Sequence, residues 1–152
     1  MKLSAFTSPK LIDLSLSAGS KDEVLSQMAR LISKSPGVGD GEQFHADVLA
    51  REKLVTTGVG YGVAFPHAKS AAVRNVVFAF ARTDAEVPFD ALDGNPVRLI
   101  FLIGAPRETE PSGVYLNLMA RLSFLMKDED NRKALLLAES AATVFEILDS
   151  VG

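Results

Sequence analysis

An α/β layer sandwich is the fold class this sequence predicts, and three features predict it. Two runs, Val76-Val77-Phe78-Ala79-Phe80-Ala81 and Val97-Arg98-Leu99-Ile100-Phe101-Leu102-Ile103-Gly104, are mostly apolar, as buried strands are. Segments 24–32 and 114–126 instead carry apolar residues at helical spacing. Strand and helix patterns alternate early and helices dominate late, so helices must cover a sheet. With 152 residues, 47% of them hydrophobic and 23% charged, one domain over residues 1–152 is expected.

Each element has a local reason. Leu11-Ile12-Asp13-Leu14-Ser15-Leu16 alternates apolar and polar for most of its length, as a half-buried strand does. Ser20 is placed as an N-cap, with Glu23 in capping-box position. The helix that follows carries Val24, Leu25, Met28, Leu31 and Ile32 and stops at the breakers Ser35-Pro36-Gly37. Asp40, with Gln43 three residues on, opens a second helix that buries Phe44, Val48 and Leu49. Arg51 and Glu52 lie at its C-terminal end. Pro88 to Pro96 reads as a loop with a turn at Asp93-Gly94, and Glu108 to Ser112 as a polar connection. The helix over 114–126 is expected to turn Leu116, Met119, Ala120, Leu122, Ser123 and Met126 inward. Shorter helices follow around Asp128–Ala138 and Thr143–Leu148.

Composition excludes several functions. A formal net charge of -3 gives no electrostatic case for a nucleic-acid partner. Without cysteine there is no disulfide, thiol chemistry or cysteine-ligated zinc. Two histidines argue against a multi-histidine centre, so no metal and no cofactor are expected. No apolar run approaches the ~20 residues that span a bilayer, so no membrane insertion is expected. Met1-Lys2-Leu3-Ser4 lacks the apolar core of a signal peptide, and a cytoplasmic location is the expectation.

The segment Thr56-Thr57-Gly58-Val59-Gly60-Tyr61-Gly62-Val63-Ala64-Phe65-Pro66-His67-Ala68 carries the functional signal. Its alternating glycines allow positive φ and close backbone approach, so a glycine-rich loop is expected there. Pro66 fixes its own φ and holds Phe65 extended. His67 would then sit at the end of a short strand, aimed in a set direction. Such a histidine is either a hydrogen-bonded structural residue or a group for proton or phosphoryl exchange near neutral pH. Gly58-x-Gly60-x-x-Val63 lacks the third glycine of a dinucleotide fingerprint, and no Lys-Ser/Thr pair follows, which disfavours an ordinary nucleotide site.

The pattern Arg51-Glu52, Thr56-Thr57-Gly58-Val59-Gly60 and Val63-Ala64-Phe65-Pro66-His67-Ala68 resembles the enzyme IIA signature of the fructose/mannitol class, in the bacterial phosphoenolpyruvate-dependent phosphotransferase system. The resemblance continues in Asp93-Gly94-Asn95-Pro96-Val97-Arg98-Leu99-Ile100-Phe101-Leu102-Ile103 and in Leu116-Asn117-Leu118-Met119-Ala120-Arg121-Leu122-Ser123. It covers nearly the whole chain. It implies a three-layer α/β/α sandwich around a small mixed sheet, and transient phosphorylation of His67 by an HPr-like phosphocarrier protein. It also points to the nitrogen-regulatory subgroup, whose members signal through their phosphorylation state to a regulatory target protein.

Under that resemblance Arg51 offers a planar cation for phosphoryl oxygens; without it, Arg51 is a solvated helix-end charge. Thr57 is a candidate acceptor for the second ring nitrogen of His67. Gly58 and its fellow glycines would shape a binding loop. Glu52 is expected to be structural or solvated, helping to set Arg51. The family's second active-site histidine is missing, and Tyr115-Leu116 stands at its place. Tyr115 can donate a hydrogen bond but carries no positive charge. His45 lies too early in the chain to match and is expected to be structural. Two other functions stay open: a non-catalytic binding module that keeps the fold, and a sugar-transport subunit donating to an enzyme IIB.

Overall fold

Helices flank both faces of one mixed sheet in the computed structural model, which describes residues 2–108 and 113–150. In chain order the elements are β1 (Ile12–Leu16), α1 (Lys21–Ile32), α2 (Gly41–Glu52), β2 (Gly58–Gly60), β3 (Val63–Ala64) and β4 (His67–Ser70). Then come β5 (Val77–Val87), β6 (Val97–Pro106), α3 (Val114–Lys127), α4 (Glu129–Leu137) and α5 (Ala141–Asp149). Thr109 to Ser112, the end of the expected polar connection, lie outside the described residues. Among the described residues, no helix is long and apolar enough to cross a membrane.

Alternation along the two longest strands decides the layering. Val77, Ala79 and Ala81 of β5 and Ile100 and Leu102 of β6 pack with Val24, Met28, Phe44 and Val48 of α1 and α2. Phe78, Phe80, Leu99, Phe101 and Ile103 face the other way, onto Leu118, Leu122, Leu135 and Val144 of α3, α4 and α5. The result is the three-layer α/β/α sandwich around a mixed sheet. Small residues on one face let α1 and α2 sit close, while phenylalanines fill the other. Phe101 lies 4.8 Å from Phe80 and 5.4 Å from Phe65, ring centre to ring centre.

The strand order is β1-β5-β6-β3-β2, with β4 also paired to β6. β5 and β6 run antiparallel, whereas β3 and β4 both run parallel to β6. Val63 opposes Leu99 and His67 opposes Ile103, so β3 and β4 share one register. Only Phe65-Pro66 separates them, because proline has no N–H for the ladder. The Pro66 carbonyl still accepts from the Ile103 N–H at 3.0 Å. His67 therefore opens a strand held in register, where the sequence led us to expect a strand end. α2 covers this strand, and Phe44 presses against Gly104 of β6. A Cβ on Gly104 would lie 3.0 Å from the Phe44 ring, so glycine sets the approach of α2 to the sheet.

Three expectations need correction here. β5 runs to Val87, past the apolar run, because Arg82, Asp84 and Glu86 occupy its far end. The glycine-rich stretch is a strand and tight turn, with Gly58–Gly60 paired antiparallel to β3 and positive φ at Gly60, Tyr61 and Gly62. The buried face of α3 is Tyr115, Leu118, Leu122, Leu125 and Met126, while Leu116 is 65% exposed and Ala120 is exposed. The caps at Ser20 and Asp40 each accept the expected N–H, from Glu23 and Gln43. The return arms differ: Glu23 takes the Gly19 N–H, and the Gln43 amide donates to Asp47.

Arg82 ties the layers together at the far end of β5. Its Nε donates to the Leu14 carbonyl at 3.1 Å. Its Nη1 donates to the carbonyls of Leu135, Leu136 and Ala138 at 2.9, 3.1 and 2.7 Å. These are carbonyls at the C-terminal end of α4, where helices leave acceptors without an intrahelical partner. Arg82→Met is expected to cost about 2–3 kcal/mol, since bonds to a charged donor are lost together. Urea unfolding checks this: the midpoint should fall with an unchanged slope. An unchanged midpoint would show that water replaces the guanidinium at no cost.

Candidate functional site

His67 takes its orientation from the interrupted strand. The Phe65 N–H donates to the Thr57 carbonyl at 2.9 Å, which fixes the peptide ahead of Pro66. The Phe65 carbonyl then accepts from His67 Nδ1 at 2.8 Å. A carbonyl can only accept, so this bond selects the tautomer with its proton on Nδ1 and leaves the Nε2 lone pair for chemistry. His67 is half-buried. Burial pushes its pKa below the ordinary 6.5; the bond to Phe65 opposes this, Arg51 lowers it further and Glu52 raises it. The ring is neutral at pH 7.

Arg51 comes from the last turn of α2. Its Nη1 donates to the Val55 carbonyl at 2.8 Å, which curls the following loop back onto the helix end. Its positive charge acts on both the His67 ring and the Tyr115 hydroxyl. Tyr115 is buried in the first turn of α3, behind Gly113, whose φ of 69° starts the helix. The Tyr115 ring meets the His67 ring edge-on, 6.3 Å between centres at 60°. Lys69, two residues along β4 and so on the same strand face as His67, places Nζ 5.8 Å from the Tyr115 ring centre. Burial raises the Tyr115 hydroxyl to about 12 against the opposing effect of Arg51, so it keeps its proton and can donate.

The structure thus brings together Arg51, His67 and Tyr115, and it does not bring Thr57 to the ring. The Thr57 hydroxyl donates to Glu52 Oε1 at 2.6 Å, and the His67 partner is a backbone carbonyl instead. Gly58 is buried against the 88–96 loop. A Cβ there would fall 2.9 Å from Ala91, so glycine lets that loop close over β2, and the Leu92 N–H reaches the Gly58 carbonyl at 2.9 Å. Glu52 is buried rather than solvated. It binds Thr57 and Lys21, not Arg51. His45 is partly buried on α2, six residues before Arg51, and its Nε2 is buried with no hydrogen-bond partner among the described residues.

Sequence reasoning missed the Phe65 carbonyl, the Lys21–Glu52 pair and Lys69. Lys69 had a signal, its spacing of two from His67. The others had none, since a backbone acceptor and a pair between two helices leave no local pattern.

A neutral imidazole with a committed Nδ1–H, a free lone pair on Nε2, a guanidinium and a phenol nearby is suited to accept an anionic group. The chain is also similar to proteins of known sequence and structure. Residues 5–151 match the family model described as "Phosphoenolpyruvate-dependent sugar phosphotransferase system, EIIA 2". The chain is 34% identical over 149 residues to the "PTS system fructose-specific EIIABC component" of Bacillus subtilis, covering 98% of this chain but 23% of that protein. It is 35% identical to a "Nitrogen regulatory protein" of Bradyrhizobium diazoefficiens, over 97% of this chain and 95% of the other. The crystal structure of nitrogen regulatory protein IIA-Ntr from Neisseria meningitidis superposes with a TM-score of 0.88 at 33% identity, covering 96% of this chain and 98% of that one.

Proposed function

The chain belongs to the EIIA 2 family of the phosphoenolpyruvate-dependent sugar phosphotransferase system, and from that membership we propose that it is a regulatory phosphocarrier, charged on His67 by an HPr-like protein. The observation that carries the reading is the Nδ1–H of His67 bound to the Phe65 carbonyl. With Nδ1 committed, Nε2 attacks phosphorus as the carrier's N–P bond breaks and its electron pair returns to the carrier's imidazole. No proton has to move, because the Nδ1 proton stays where it is. Positioning and charge stabilisation then do most of the work. Arg51 is the cation for the phosphoryl oxygens. Lys69 lies beside the same ring pair.

Exposed apolar side chains support a protein as the phosphoryl donor. Leu54 and Val55 directly follow α2, and Leu116 neighbours Tyr115; all three are exposed. They flank in sequence the helix ends that supply Arg51 and Tyr115, and exposed apolar surface there suits contact with a protein. The two similar proteins named nitrogen regulatory support the regulatory branch. Donation to an enzyme IIB is the second reading, favoured by the Bacillus subtilis relative named EIIABC. On either reading residues 1–152 act as one phosphoacceptor domain in the cytoplasm.

The test is incubation with phosphoenolpyruvate, enzyme I and an HPr-like carrier. The expected product carries an acid-labile, base-stable phosphoryl group. An unlabelled chain would instead make it a binding module without phosphoryl chemistry. Passing the label on to an enzyme IIB would select the transport role over the regulatory one.

Tyr115 should tune the transfer and not drive it. Tyr115→Phe is expected to change the rate or the phosphoryl lifetime by about fivefold, the worth of a neutral hydrogen bond of ~1 kcal/mol. Tyr115→His should add a pH dependence near the imidazole value of ~6.5. Stopped-flow transfer from the phosphorylated carrier measures both. A hundredfold loss in Tyr115→Phe would contradict the secondary role.

A further inference from the structure

We propose that Lys21 and Glu52 are positioning residues for the phosphoryl acceptor, acting on His67 through Thr57 and the Phe65 peptide. The inference rests on the phosphocarrier reading above. It starts from an unbroken chain of polar contacts. Lys21 Nζ lies 2.6 Å from Glu52 Oε2. Thr57 donates twice to the same carboxylate, its N–H to Oε2 at 2.8 Å and its hydroxyl to Oε1 at 2.6 Å. The Thr57 carbonyl takes the Phe65 N–H at 2.9 Å, and the Phe65 carbonyl takes the His67 Nδ1–H at 2.8 Å.

Each link removes a freedom that the next one needs removed. Both Glu52 oxygens are engaged, so the carboxylate cannot turn. Thr57 is gripped at its N–H and its hydroxyl, so its carbonyl is fixed. The Phe65 peptide is held from behind by that carbonyl and ahead by Pro66. The His67 ring is therefore aimed by a frame that begins on α1. Glu52 is 7% exposed and stays ionised: burial pushes its carboxyl up, but the contacts from Lys21 and Thr57 outweigh this and hold it below its ordinary 4.5. Lys21 is itself steadied over the Phe89 ring, 4.9 Å from the centroid. The run of contacts that begins at the Lys21–Glu52 pair ends, two bonded peptides later, at the reacting ring.

The test uses the full chain as Glu52→Gln and Lys21→Met, with circular dichroism and urea midpoints to confirm folding. The two readouts are ¹⁵N NMR of the His67 ring and single-turnover transfer from the phosphorylated HPr-like carrier. In Glu52→Gln the ring should shift from the Nδ1–H form toward the Nε2–H form. The first-order transfer rate should fall about tenfold, the effect of weakening one charge-assisted bond, with the carrier KM unchanged. Lys21→Met keeps the carboxylate and both Thr57 bonds, and should show the same two changes at smaller size. If Glu52→Gln does not fold, Lys21→Met alone decides by the same readouts. A folded variant with wild-type ring signals and rate overturns the proposal. So does a rate loss with ring signals unchanged, which is what a merely loosened fold produces. If the wild-type chain takes no label at all, the phosphocarrier reading fails, while the ring signature still decides whether Glu52 aims His67.

Discussion

His67→Ala is expected to take no acid-labile label from the phosphorylated carrier, while His45→Ala labels at the wild-type rate. The chain has only two histidines, so the pair of variants tests every imidazole in it. His67 has the committed Nδ1–H and the neighbouring guanidinium; His45 sits on α2 with a buried Nε2. A pH dependence follows from the His67 environment. Acceptance needs the Nε2 lone pair, hence the neutral ring. Because burial and Arg51 lower the His67 pKa beyond what Phe65 and Glu52 restore, the neutral form persists as pH falls past 6.5. The transfer rate should therefore half-fall at a pH below 6.5, the reverse of a histidine stabilised as a cation. Persistent label in His67→Ala would remove His67 from the role, and a midpoint above 6.5 would show that burial and Arg51 do not dominate the titration of the ring.

Arg51→Ala is expected to slow transfer by about 10²–10³, the ~2.7–4 kcal/mol typically lost with one preorganised donor to a developing anion. Arg51→Lys should fall between, because an ammonium supplies charge without the planar fork. The same variants report on the ring: Arg51 lowers the His67 pKa, so Arg51→Ala should raise it in an NMR titration, and Arg51→Lys should leave it nearer to wild type. Arg51 also bonds the Val55 carbonyl, so a fall in urea midpoint would measure its structural part separately. Wild-type transfer in both variants would end the assignment of Arg51 to the phosphoryl oxygens.

The sheet and its covering helices were legible because burial on two faces leaves near-continuous apolar runs, as in 97–104. The second half of β5 was hidden by Arg82, Asp84 and Glu86, whose charges break the run although the backbone pairing continues. On α3, Leu116 and Leu118 look equally suited to a core; only spacing from Tyr115, Leu122 and Leu125 distinguishes them, and that spacing admits an alternative face. The family was legible in Pro66-His67 and in the segment from Asp93 to Ile103. The partner of the His67 ring was not, because sequence patterns describe side chains and the acceptor is a peptide carbonyl. Nor were the contacts of Glu52, whose partners come from another helix and from the segment just before β2.

The shared register of β3 and β4 bears on how phosphorylation is read. A loop acceptor can announce its modification by folding or melting. His67 has no such slack: Val63 and Ala64 before it are paired to Leu99 and Ile100, His67 itself to Ile103, and the residues after it to Gly104 through Pro106. A phosphoryl group brings about two negative charges to a point that the sheet does not let move. On the phosphocarrier reading proposed above, the message would be written in electrostatic potential and bulk on a rigid surface, and a receiver would sense it by what it repels or attracts there. Such a signal would cost no refolding to send and none to erase, and the time it lasts would be set by the chemistry of one N–P bond.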